Sequence, residues 1–173
     1  SHEAMAAEVR PAEAGEGDWV EVPVEVAGSV LRRHGARAHM ELEGKAVSLV
    51  NWSGEVFCID SVCFHAGGPL TVGDIEEIDG RPCVKCPWHS YIIALDNGDK
   101  MYNSLRKDPA SGKLVPAGWR AMQGMQRCYP VRVLGQGRVF VNMASDKDTP
   151  FRSDAYSTNL DLAHKAFKGA SSR

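Results

Sequence analysis

The chain has 173 residues, 43% of them hydrophobic and 24% charged, with a formal net charge of −2. That is enough for one domain with a core of its own, and the near-balance of acid and base argues against nucleic acid or an anionic membrane as partner. No apolar run approaches the roughly 20 residues that a membrane-spanning helix needs.

Residues 1–18, rich in Ala and Glu, read as a disordered leader, with Ser1-His2-Glu3-Ala4 before Met5 as an expression tag. Glu8, Glu13, Glu16 and Asp18 against a single Arg10 is the wrong composition for a transit peptide. Five Cys are an odd number, which favours free thiols in a reducing compartment. The expected location is the cytoplasm, or an organelle after removal of a leader.

From Trp19, Val20, Val22, Val24 and Val26 alternate with Glu21, Pro23 and Glu25, the period of a half-buried strand, and Pro23 marks it as an edge. Residues 37–43 and 45–51 read as strands about Gly44, with Val47 and Leu49 inward, and Ser53-Gly54 turns the chain into a strand over Glu55–Ile59. Then comes C-F-H-A-G-G-P-L at 63–70. Asp79-Gly80 joins strands at 75–79 and 81–85 as a hairpin, and C-P-W-H-S-Y follows at 86–91. Asn97-Gly98 joins 91–95 to 100–103. Residues 104–120, with two Pro, two Gly and four basic residues, read as a long surface loop whose charge either steers an acidic partner or is simply solvated. Strands return at 127–133 and 138–142. The polar tail over 144–173 places Leu160, Ala163 and Phe167 on one helical face, with Asn159 as N-cap and Gly169 as stop; a short docked helix and a frayed end both fit. The domain proper is therefore expected over 19–143.

Two thiols and two imidazoles, Cys63 and His65 on one arm and Cys86 and His89 on the other, form a metal-binding set for which zinc and iron–sulfur are the candidates. Structural zinc sites usually pair like with like along the chain. Here each arm carries one Cys and one His, so each can give a thiolate to one iron and an imidazole to a second. A [2Fe–2S] core with four thiolates is a dianion, whereas two thiolates and two neutral imidazoles leave it neutral and easier to reduce. The chemistry is one-electron transfer, and the rival is a zinc-stabilised structural or interaction module. The remaining histidines, His2, His34, His39 and His164, leave no further domain for the 2-His-1-carboxylate iron site that an oxygenase needs, and no catalytic residues are assigned.

C-x-H-x-G-G-P-L followed by C-P-W-H resembles the Rieske iron–sulfur motif. The similarity continues through D-G-R-P-C at 79–83 and Y-I-I-A-L-D-N-G at 91–98, over roughly residues 19–143, and is greatest to the soluble Rieske-type ferredoxins of eukaryotes. The resemblance implies an all-β, Rieske-like antiparallel sandwich with a small cluster-binding lobe made of two loops. It implies one [2Fe–2S] cluster per chain, with Cys63 and Cys86 on one iron and His65 and His89 on the other. The imidazoles would reach the surface within an apolar rim of Phe64, Pro69, Leu70 and Trp88, where a flavoprotein reductase and a redox acceptor would dock. Respiratory-complex Rieske proteins tie the two loops with a disulfide; the matching positions here are Gly68 and Trp88, so loop shape is expected to rest on Gly67-Gly68-Pro69, Pro87 and packing by Trp88. Ser90 and Tyr91 do not fall where the high-potential branch of the family places its Ser and Tyr, so a low potential is expected.

Overall fold

The computed structural model describes residues 18–171, so the expected leader lies outside them except for Asp18. In chain order the elements are β1 (Trp19–Glu21), α1 (Val24–Leu31), β2 (Arg37–Leu42), β3 (Lys45–Trp52), β4 (Glu55–Asp60), β5 (Ile75–Ile78), β6 (Arg81–Lys85), β7 (Ile92–Ala94), β8 (Lys100–Lys107), β9 (Leu114–Met122), β10 (Cys128–Tyr129), β11 (Val131–Leu134), β12 (Arg138–Asn142), α2 (Asp154–Ser157) and α3 (Leu160–Ser171). The strands form three antiparallel sheets, ordered β1-β12-β11, β10-β4-β3-β2 and β5-β6-β7-β8-β9. The expected all-β class is what is found.

Local chemistry sets the registers. Glu43-Gly44, Ser53-Gly54 and Asp79-Gly80 each have both residues at positive φ, the requirement of a type I′ turn, whose twist matches that of the strands it joins. Between those turns β3 is buried without alternation from Ala46 to Asn51. Its two faces serve two cores. Val47 and Leu49 pack with Val22, Ala27, Val30, Val139 and Val141 inside the sandwich. Val50 packs with Ile59, Leu70, Val84 and Ile93, which joins the sandwich to the five-stranded sheet.

Three expectations are corrected. Val24 and Val26 do not extend the first strand: the chain turns at Pro23 into α1, leaving Val24 72% exposed while Ala27 and Val30, three residues apart, are buried. Four alternating valines fit a strand, but the buried positions that follow have helical spacing, and packing against the sandwich overrides β-propensity. The stretch 104–120 is not a loop. It is the outer part of a long hairpin, β8 with β9, paired from Lys100↔Met122 to Lys107↔Leu114 with a bulge at Ser104/Leu105 that accommodates Pro116. The turn is closed by Asp108, whose carboxylate accepts from the Ser111 amide and hydroxyl. Gly169 does not stop the last helix, which runs past it to Ser171.

The tail is a docked helix. Asn159 caps α3 by accepting from Leu162 N–H at 3.0 Å, and Leu160, Ala163 and Phe167 pack with Ala46 and Val62. Ahead of it, Asp154 forms a bidentate pair with the buried Arg127. Among the described residues no helix is long and apolar enough to cross a membrane.

Candidate metal centre

The two arms come from two places in the sheets: residues 61–74 link β4 to β5, and residues 86–91 link β6 to β7. Both loops close in the same way. Cys63 N–H donates to Gly68 O (2.8 Å) and Gly67 N–H donates to Cys63 O (2.9 Å); Cys86 N–H donates to Tyr91 O (2.8 Å) and Ser90 N–H donates to Cys86 O (2.9 Å). The fifth residue of each turn is left-handed, Gly67 at φ 70° and Ser90 at φ 61°. Glycine takes that conformation freely, whereas serine holds it at some cost, which the surrounding hydrogen bonds offset.

These turns bring the four residues together as two pairs. Cys63 and Cys86 are buried and their thiols are hydrogen-bonded to each other. His65 and His89 are exposed, with Nδ1 atoms 3.2 Å apart and ring centroids 4.7 Å apart. Among the described residues no three His, Cys, Asp or Glu side chains gather about one point to hold a single metal ion. The Cys86 thiol is lowered, first by the hydrogen bond with Cys63, against the cost of burial, and then by the amides of Trp88 and His89. The Cys63 thiol is raised, first by its hydrogen bond with Cys86 and then by burial.

The donor set fits a two-metal group. Tetrahedral ligands on metal–nitrogen bonds of about 2.0 Å stand about 3.3 Å apart, and the two Nδ1 atoms match that spacing.

Packing replaces a covalent tie between the loops. A Cβ on Gly68 would lie 2.7 Å from Trp88 Cδ2, so the indole rests directly on the glycine. A Cβ on Gly67 would lie 2.8 Å from Leu162 Cδ2 and 3.1 Å from Tyr156 Cδ1, which puts the C-terminal segment against the first loop. The Tyr156 hydroxyl donates to His65 O at 3.4 Å. The cysteines, all free, include Cys58, Cys83 and Cys128 outside the two arms.

The expected rim is corrected. Phe64 and Leu70 are 5% and 0% exposed and Pro69 is buried, whereas Trp88 is 50% exposed. Phe64 and Leu70 face the second core, where apolar side chains gain more than at a wet edge. The remaining described histidines are engaged in packing: His34 accepts from Ser53 N–H and meets Trp52, and His39 bonds the Ser48 and Thr71 hydroxyls and meets Phe167. His164 lines a cleft with His39, Ser61 and Phe167 between β2 and α3.

Sequence reasoning passed over Gln126. Fully buried, it accepts from Phe64 N–H (2.9 Å) and donates to Asp60 O (2.9 Å) and Val62 O (2.6 Å), so one amide holds the first arm from both sides. Its carbonyl lies against Gly98, where a Cβ would come within 1.7 Å. A lone Gln between a hairpin and a short strand carries no periodic signal.

An all-β sandwich with a lobe of two Cys/His loops defines a class of iron–sulfur electron-transport domains. The soluble Rieske-type ferredoxin family profile matches residues 27–146, and the chain belongs to that family. A human Rieske domain-containing protein is 41% identical over 108 residues, 61% of this chain and 64% of that protein, so the match spans less than two thirds of the relative. Among solved structures, one described as the small subunit of an NADPH nitrite reductase is 15% identical, covers 72% of this chain and 97% of its own, and has a TM-score of 0.50. The ferredoxin of carbazole 1,9a-dioxygenase from Nocardioides aromaticivorans IC177 is 20% identical over 70% of this chain and 95% of its own, with a TM-score of 0.48. At such identities the likeness to the nitrite reductase subunit concerns the fold.

Proposed function

We propose that the chain is a one-electron carrier that holds a single [2Fe–2S] cluster through Cys63, His65, Cys86 and His89. The observation that carries this reading is the pairing, thiol with thiol in the interior and imidazole with imidazole at the surface. A four-coordinate zinc site would need all four donors about one point. When bound, the cluster supplies a reversible one-electron couple. The protein's own part is to hold the thiolate end away from water with Val50, Ile59, Leu70 and Ile93, and to present His65 and His89 to a partner beside the exposed Trp88. Backbone amides of His65, Trp88 and His89 donate to the cysteine sulfurs and stabilise negative charge there.

The chain passes electrons from a flavoprotein reductase to a redox acceptor, an oxygenase component being one such acceptor, and works in the cytoplasm, in keeping with its free thiols. Metal and acid-labile sulfide analysis of freshly purified protein tests the assignment. Two irons and two sulfides per chain with a visible absorption band are expected, lost on Cys86→Ser. One zinc and no iron would overturn it in favour of a zinc-stabilised module.

A further inference from the structure

Strands β8 and β9 carry the five-stranded sheet outward, and between Tyr102 and Lys107 and along β9 only Ser104 and Val115 are half-buried, the rest being exposed. Residues 100–122 hold five of the chain's 20 Lys and Arg but one of its 22 Asp and Glu, so the hairpin carries +4 while the rest of the chain carries −6. Its basic side is not isolated. Lys100 Nζ stands 4.5 Å from the centre of the Tyr91 ring, and that ring is 4.6 Å from the ring of His65. Alternation along β8 puts Tyr102 and Arg106 on the same side as Lys100. Pairing adds Met122 opposite Lys100 and Arg120 opposite Tyr102. Tyr102 and Met122 are 40% and 42% exposed. A strip of base, aromatic ring and thioether therefore runs from the imidazole pair out along the hairpin.

We propose that this strip is the docking surface for the protein that exchanges electrons with the chain, and that this partner presents carboxylates around an exposed, apolar redox edge. The proposal rests on the electron-carrier reading above. Complementary charge steers encounter, and an exposed Tyr and Met between the bases supply the apolar contact that holds it. The same residue types also fit single-stranded nucleic acid, but the −6 on the rest of the chain repels a long polyanion, whereas a compact acidic patch meets the strip alone.

The test uses holoprotein and the double variant Arg106→Glu with Arg120→Glu, and reduced flavodoxin as probe, an acidic one-electron flavoprotein. Stopped-flow reduction is followed at about 10 mM and about 1 M salt, where charges are screened over about 30 Å and about 3 Å. The variant should keep the wild-type visible spectrum, react about tenfold more slowly at low salt, and converge with wild type at high salt. Reduced methyl viologen, a small cation, should reduce both proteins without that loss. Carbodiimide coupling of flavodoxin carboxylates should label Lys100, the lysine of that strip. Equal flavodoxin rates at low salt, coupling at Lys85 or Lys165 in place of the hairpin, or tighter binding of an oligouridylate than of flavodoxin at Arg106 and Arg120 would each overturn the proposal. Failure of viologen to reduce the protein strikes the electron-carrier reading instead, and the coupling pattern, which needs no metal, still decides the surface.

Discussion

At Gly68 and Trp88, the positions expected to match the loop cross-link of respiratory-complex Rieske proteins, an indole lies on a bare backbone. Gly68 has an ordinary φ, so the constraint is one of space. Gly68→Ala should force the indole away and destabilise the protein by about 1–3 kcal/mol, with faster bleaching under chelator; adding Trp88→Ala should return much of the loss. Thermal melts of the four proteins in this cycle check it, and an additive double variant would exclude the contact as the clasp. Asp60 is a second residue with a measurable signature. It accepts from the Tyr129 hydroxyl (2.7 Å) and the Ser153 hydroxyl (2.6 Å), and burial raises its carboxyl from 3.8 to about 6 against those two hydrogen bonds, which lower it. A carboxyl raised on folding contributes stability that is fully present below pH 3.8 and is lost as pH rises through about 6. The stability of the wild type relative to Asp60→Asn should therefore fall by up to about 3 kcal/mol between pH 4 and 7. Urea midpoints across that window test it, and a constant difference would rule it out.

At the scale of elements, α3 does more than finish the chain. Its Leu160, Ala163 and Phe167 cover Ala46 and Val62, while Leu162 and the preceding Tyr156 press on Gly67, whose left-handed backbone closes the first loop. Truncation after Asn159 removes apolar cover worth about 1–3 kcal/mol. The shortened chain should retain its sheet signal in circular dichroism, melt at lower temperature and lose its visible absorption faster in the presence of chelator. Unchanged bleaching would mean that the helix stabilises the sandwich without supporting the loop.

The whole molecule sets the reduction potential through what surrounds the paired donors. The cysteine end is enclosed by the second core and receives backbone amides, while the histidine end is exposed. Ser90 is spent on the left-handed turn, and the Tyr91 ring is held between Phe64, His65 and Lys100. Rieske centres span about −150 to +300 mV, the upper values needing additional donors to the cluster sulfurs. Voltammetry of the holoprotein should give a potential below about 0 mV. A value near the top of the range would show that Ser90 or Tyr91 serves the sulfurs after all. With Gly68 and Trp88 in place of a bridge, the same measurement should be unmoved by dithiothreitol.

The candidate donors, the turns and most strands were legible in the sequence, because each depends on neighbours along the chain. Cys63, His65, Cys86 and His89 suggest the proposed ligand set by type and spacing, and Asp79-Gly80 declares a hairpin by its backbone preference alone. What tertiary structure decided was which side chains meet across long separations. The alternation of Val20 to Val26 gave way to α1 because the buried positions lie against the distant strand β12. The Pro- and Gly-bearing stretch 104–120 became a hairpin because β7 offered β8 an edge. Phe64 and Leu70 left the surface because Val50 and Ile59 offered them a core. Gln126 reaches Phe64 across 62 positions, and Leu162 reaches Gly67 across a still longer span. Contacts of that range leave no local pattern, since the free energy that selects them is gained only when the sheets close.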